Sequence, residues 1–160
     1  MRVLPVMLLL VGSSGVLSGQ SDVGKQTKSP FSITISTESP VVKSGSELSI
    51  KIHLTNTSSQ DMVVSGAYFE GTDASYQVAV RDSKGNLAKR EQSGPGGPVS
   101  GHWQRHTLKA GESTDSVTKV NGEYDISRPG QYVIQLSRPI SANPDDGVVK
   151  SNKITVTVTP

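Results

Sequence analysis

Alternation with a period of two residues constrains this chain more than any other feature. Phe31, Ile33 and Ile35 alternate with Ser32, Thr34 and Ser36. Leu48, Ile50, Ile52 and Leu54 alternate with Ser49, Lys51, His53 and Thr55, and Tyr76, Val78 and Val80 with Gln77, Ala79 and Arg81. Tyr132, Ile134 and Leu136, then Ile154, Val156 and Val158, repeat the pattern near the end. On an extended backbone successive side chains point to opposite faces, so each run reads as a strand with one apolar and one wet face. No long stretch spaces its apolar residues by three and four, as an amphipathic helix requires. The expected fold class is all-β. Because each strand is apolar on one side only, two sheets must meet face to face, giving an antiparallel β-sandwich of about seven to nine strands.

Turn chemistry separates the runs. Lys43-Ser44-Gly45-Ser46, Asn56-Thr57-Ser58-Ser59, Lys109-Ala110-Gly111-Glu112 and Arg128-Pro129-Gly130-Gln131 read as turns. Asp82-Ser83-Lys84-Gly85-Asn86 reads as a hairpin turn, with Gly85 free to take a positive φ. Met62 to Val64, Leu87 to Glu91, Arg105 to Leu108 and Ser113 to Val120 are weaker strand candidates.

The first residues follow a different logic. Arg2 supplies a positive start, Val3 to Val11 is apolar apart from Pro5, and the small residues Gly12, Ser13, Ser14, Gly15, Ser18, Gly19 and Ser21 follow. That order is expected of a secretory signal peptide over residues 1–21, with cleavage after Ser18 or Ser21. Its apolar run is too short to span a bilayer, which takes about 20 apolar residues. Asp22 to Pro30 is polar and reads as a flexible leader, so the folded unit is expected over residues 31–160. The product is expected to be secreted or periplasmic. With no cysteine, the chain has neither disulfides, nor a thiol nucleophile, nor a cysteine-borne lipid anchor, nor a cysteine zinc site. An exported bacterial protein is a natural home for such a chain. Lys+Arg 16 against Asp+Glu 14 leaves a net charge of +2, too little for a broad field that would draw nucleic acid or a membrane surface.

Leu54-Thr55-Asn56-Thr57-Ser58 and the Pro129-Gly130-Gln131-Tyr132 corner resemble the immunoglobulin-like or fibronectin-like sandwiches of exported bacterial proteins. That resemblance implies an immunoglobulin-like fold, and a hydrogen bond from Tyr132 back across the corner. Tyr76 to Gly85, Leu108 to Ser113 and Pro129 to Tyr132 are also similar to a bacterial proteinase-inhibitor sandwich family. This second resemblance implies inhibition by a stiff segment presented to an enzyme cleft.

The segment from Gln92 to Gln104 is the most irregular part of the chain. It holds Gly94, Pro95, Gly96, Gly97, Pro98 and Gly101 before His102 and Trp103, the single tryptophan. A structureless loop beyond about 12 residues in a compact domain is usually either functional or disordered. Read as functional, Pro95, Pro98, His102, Trp103 and Arg105 are candidate partner-binding residues, with Trp103 and Arg105 as anchors. Read plainly, the segment is an insertion and Trp103 joins the core at the next strand. His102 and His106 would lie about 13 Å apart on a strand, too far for one metal, and with His53 they are expected to be solvated.

Asn143, Asp145 and Asp146, with Gly147 behind, lack the spacing of a calcium loop and read as a connecting turn. Ser116-Val117-Thr118-Lys119 has the Ser-x-x-Lys order of penicillin-recognising enzymes but lies in an expected strand without the companion motifs. Asn56-Thr57-Ser58 is formally a glycosylation sequon, read here as the end of a strand. No cofactor, metal or catalytic set is expected. The expected function is binding of a protein or surface glycan through residues 92–104, with proteinase inhibition as the alternative.

Overall fold

The computed structural model describes residues 29–69, 72–73, 75–90, 102–121 and 123–160. The expected signal peptide, most of the leader, and Pro95 and Pro98 lie outside them. The described chain is all-β and forms an antiparallel β-sandwich. Its strands are β1 (Phe31–Ser36), β2 (Val41–Lys43), β3 (Ser49–Asn56), β4 (Met62–Phe69), β5 (Thr72–Asp73), β6 (Gln77–Asp82), β7 (His102–Leu108), β8 (Ser113–Lys119), β9 (Gly130–Pro139) and β10 (Val148–Thr159). Eight of them are six residues or longer. The first sheet runs β1-β3-β8, the second β2-β10-β9-β6 and a small third β5-β4-β7. Every pairing is antiparallel except β2 with β10.

The alternation dictates the core. Phe31, Ile33 and Ile35 of β1 and Ile50, Ile52 and Leu54 of β3 are buried, and the polar residues between them lie outside. They meet Val80, Ile134, Leu136, Val156 and Val158 of the second sheet in one cluster. Burying each such side chain stabilises the fold by about 1.5–3 kcal/mol. The expected turns at Gly45, Gly85 and Gly111 form as the residues require, whereas Gly130 and Gln131 of the expected Arg128–Gln131 turn already belong to β9. Gly85 takes φ 84° and Gly111 φ 81°, where a side chain would clash with its own backbone. Around Gly85, Asp82 accepts from the backbone N–H groups of Lys84 and Asn86. Around Gly111, the Glu112 N–H donates to the Lys109 carbonyl at 3.0 Å.

Two features depart from the sequence reading. Leu87 to Glu91 does not become a strand: Leu87 and Arg90 make isolated bridges, and Glu91 lies outside the described residues. Leu87-Ala88-Lys89-Arg90 offers one apolar residue to each face, so there is no apolar row to bury, and Leu87 is exposed. The third sheet was also not expected. The β3–β8 ribbon turns a corner at Asn56 and resumes as the β4–β7 ribbon, whose Val64 and Leu108 join the same core.

Asn56 makes that corner. It is fully buried, and its Nδ2 is shared among the carbonyls of Gln60, Leu108 and Lys109 at 2.8–3.1 Å. Its Oδ1 accepts from the Ser58 N–H and hydroxyl. The nitrogen that a glycan would occupy is thus enclosed, and the sequon asparagine serves as a structural pin. Ile52→Ala should lower stability by about 2–5 kcal/mol, whereas Lys51→Ala on the wet face should leave it nearly unchanged. Equal midpoints for the two variants in denaturant titration would contradict the register of β3.

Candidate functional site

β7 carries three of the five residues singled out above. The irregular segment expected to run to Gln104 ends earlier, because His102, Trp103 and Gln104 already pair with Tyr68, Ala67 and Gly66 of β4. Alternation through His106 and Leu108, and the partner strand on the far side of the Asn56 corner, extend this strand toward its N-terminus. β7 closes the order β5-β4-β7, so among the described residues it is paired on one side only.

Arg105 is exposed opposite Ser65, and Thr107 is exposed opposite Val63, which keeps 64% of its surface. Trp103 is the next position of the same parity. His106, expected to be solvated, is half-buried opposite Val64, and its Nε2 is enclosed without a hydrogen-bond partner. It falls on the inward parity of β7, shared with the buried Leu108. Nearby, Arg138 of β9 donates to the Ser65 carbonyl at 2.7 Å and lies 5.2 Å from the Tyr76 ring centroid, fastening the third sheet to the second.

The remaining candidates are held elsewhere. His53 donates from Nδ1 to the Asp115 carboxylate at 2.6 Å, on the outer face of the first sheet. Thr34 is level with His53 across β1–β3, and Thr34, His53, Asp115 and Val117 border a groove of about 400 Å³. A hydroxyl, an imidazole and a carboxylate in one row is the composition of an acyl-transfer site. Here His53 and Asp115 keep 53% and 81% of their side-chain exposure, so water screens the pair, and catalysis of that kind needs a dry, preorganised pocket. Asn143 to Gly147 is a short 3-10 turn in which the Asn143 side chain accepts from the Asp145 N–H. Among the described residues, no three His, Asp or Glu side chains converge as a metal site, and no helix is long and apolar enough to cross a membrane.

One expectation tied to the family resemblance appears directly: the Tyr132 hydroxyl donates to the Arg128 carbonyl at 2.9 Å, across the corner before β9. What sequence reading missed is the bulge in β10. The buried positions there switch from Val149 and Ser151 to Val156 and Val158, a change of parity that marks an inserted residue.

Fold and surface together define an all-β sandwich with a small accessory ribbon. No protein-family model and no curated protein matches the chain. Among solved structures, a β-glucosidase from Erythrobacter marinus is similar over 81% of this chain and 15% of its own, at TM-score 0.44 and 17% identity. A β-glucosidase from Listeria innocua in complex with glucose is similar over 81% and 16%, at TM-score 0.44 and 13% identity. The chain thus spans 15–16% of the length of these enzymes, and likeness of this strength assigns neither a family nor an activity.

Glu38, Glu47 and Asp82 share an electrostatic signature. The Lys51 ammonium holds the Glu38 carboxyl below its ordinary range, Lys119 and then Ser49 do so for Glu47, and the Asn86 amide does so for Asp82. A carboxylate whose pKa is lower in the folded chain stabilises the fold above its unfolded value, near 4. That contribution is lost as pH falls through the lowered folded value. The thermal midpoint should therefore drop as pH falls below the unfolded value of about 4, and the Glu38→Gln/Glu47→Gln/Asp82→Asn variant should show a shallower drop. Identical pH profiles for variant and parent would contradict these assignments.

Proposed function

We propose that this chain is an exported, non-catalytic module of the immunoglobulin-like sandwich type, which binds another macromolecule, protein or surface glycan. The contact surface is the β7 edge together with residues 92–104. The observation that carries this reading is the exposed row Val63, Arg105 and Thr107 on a ribbon whose last strand is, among the described residues, paired on one side only. An apolar residue beside a guanidinium at an open strand edge suits a partner that combines apolar and hydrogen-bonding contact. Trp103, two positions from Arg105, supplies a large aromatic in the same strand. The amino-terminal pattern of residues 1–21 supports export.

Immobilised protein should capture a partner from envelope extract. Deletion of residues 94–101, or Arg105→Glu, should abolish capture while leaving the thermal midpoint within a few degrees of the parent. Undiminished capture by both variants would sink the reading. Stoichiometric inhibition of a serine protease or metalloprotease by the pure protein would favour the inhibitor alternative instead.

A further inference from the structure

The two large sheets carry charge on their outer faces in opposite ways. On the first sheet the charges are matched: Lys51 with Glu38 at 2.6 Å, His53 with Asp115 at 2.6 Å and Lys119 with Glu47 at 3.1 Å. The second sheet has no such matching. Its four strands contain Lys43, Arg81, Arg138, Lys150 and Lys153 but a single carboxylate, Asp82. Asp82 is consumed within its own turn by Lys84 and Asn86.

Register places the cations. Ile134 and Leu136 of β9 are buried, so Val133, Gln135 and Ser137 are outward. Arg81 is level with Val133, Lys153 with Gln135 and Lys150 with Ser137, and all three cations are exposed. Lys43, level with Thr159, extends the same face to its far edge. Among the described residues none of these four is in an ion pair. Between them lie Ala79, Val133, Thr155 and Thr157, with Gln77 and Gln131 as further amides and the exposed Val41, Leu87 and Val148 toward the rim. The one aromatic residue of these strands, Tyr132, is buried on the other side.

We infer that the outer face of the β2-β10-β9-β6 sheet is a binding surface for an anionic polysaccharide. Arg81, Lys153 and Lys150, about 7–12 Å from one to the next and none in an ion pair among the described residues, meet carboxylates spaced along an extended chain, with Arg81 Nη1 also donating to the Gly85 carbonyl at 2.8 Å; the threonine and glutamine groups between them face its hydroxyls. A face without aromatic side chains has nothing to stack on nucleotide bases, which favours the sugar polymer over nucleic acid. This surface is separate from the β7 edge and does not depend on it.

The test uses the full chain with polygalacturonate as probe, neutral dextran as control, and a DNA oligonucleotide and phosphatidylglycerol vesicles as competing classes. The Arg81→Glu/Lys150→Glu/Lys153→Glu variant should bind polygalacturonate more than about tenfold more weakly, and parental binding should fade as salt rises from about 50 to about 300 mM. Lys51→Glu/Lys109→Glu/Lys119→Glu, on the opposite sheet and its turn and with the same net charge, should stay within about threefold of the parent. If the first variant does not fold, Lys150→Gln and Lys153→Gln serve in its place. Equal losses in the two charge-reversed variants, no binding by the parent, or tighter binding of DNA or vesicles would overturn the inference. Loss of envelope capture with retained polygalacturonate binding would separate this surface from the β7 edge.

Discussion

Polar side chains finish the hydrogen-bond ladders of this sandwich at the points where its backbone cannot. The clearest case joins the two large sheets. Asn152, in the bulge of β10, accepts from the Ile35 N–H at 2.7 Å and donates to the Ile35 carbonyl at 3.0 Å. Its amide thus takes the place of a peptide unit beside the outer edge of β1. The neighbouring Ser151 accepts from the Leu136 N–H at 3.0 Å, filling the gap that the bulge opens between β9 and β10. Asn121 accepts from the Leu48 N–H at 2.7 Å, and the Val120 N–H donates to the Leu48 carbonyl. The β3–β8 ladder therefore reaches one residue past its strands. A buried N–H left without a partner costs about 1–3 kcal/mol, so a chain with no disulfide has reason to meet each of these demands.

The consequences reach the surface. Because Asn56 satisfies both strands at the corner, the β3–β8 ribbon changes direction without stranding backbone groups, and the β4–β7 ribbon can project Val63 and Arg105 outward. Arg138 then holds that ribbon to the second sheet from the other side. The same economy leaves the outer faces free to differ. One is stitched by two exposed ion pairs and the His53–Asp115 hydrogen bond, each worth little on its own in water. On the other, Lys43, Arg81, Lys150 and Lys153 are in no ion pair among the described residues.

Much of the fold was legible because strand periodicity is local. Ile50, Ile52 and Leu54 point inward for the reason that Lys51 and His53 point out, and nothing distant is needed to see it. The turns at Gly85 and Gly111 and the Tyr132 corner were readable for the same reason. The parts that escaped depend on distant pairing. His102 and Trp103 look like the end of a glycine- and proline-rich stretch until β4 is placed beside them, and Asn56 looks like a turn residue until Leu108 and Lys109 arrive to accept its protons. The bulge left a trace, the parity change between Ser151 and Val156, but its purpose requires β1 to lie against Asn152. Of the candidate site, His102, Trp103 and Arg105 pair with β4 and Arg105 is exposed, while Pro95 and Pro98 lie outside the described residues.

Native-state hydrogen exchange at Ile35, Leu48 and Leu136 probes the central claim most directly, because each of these amides donates to a side-chain oxygen rather than to a backbone carbonyl. They should exchange as slowly as the ladder amides of β3, and Asn152→Ala should release Ile35 by at least about tenfold while leaving Leu48 protected. Rapid exchange of all three in the parent chain would mean that these side chains do not close the sandwich.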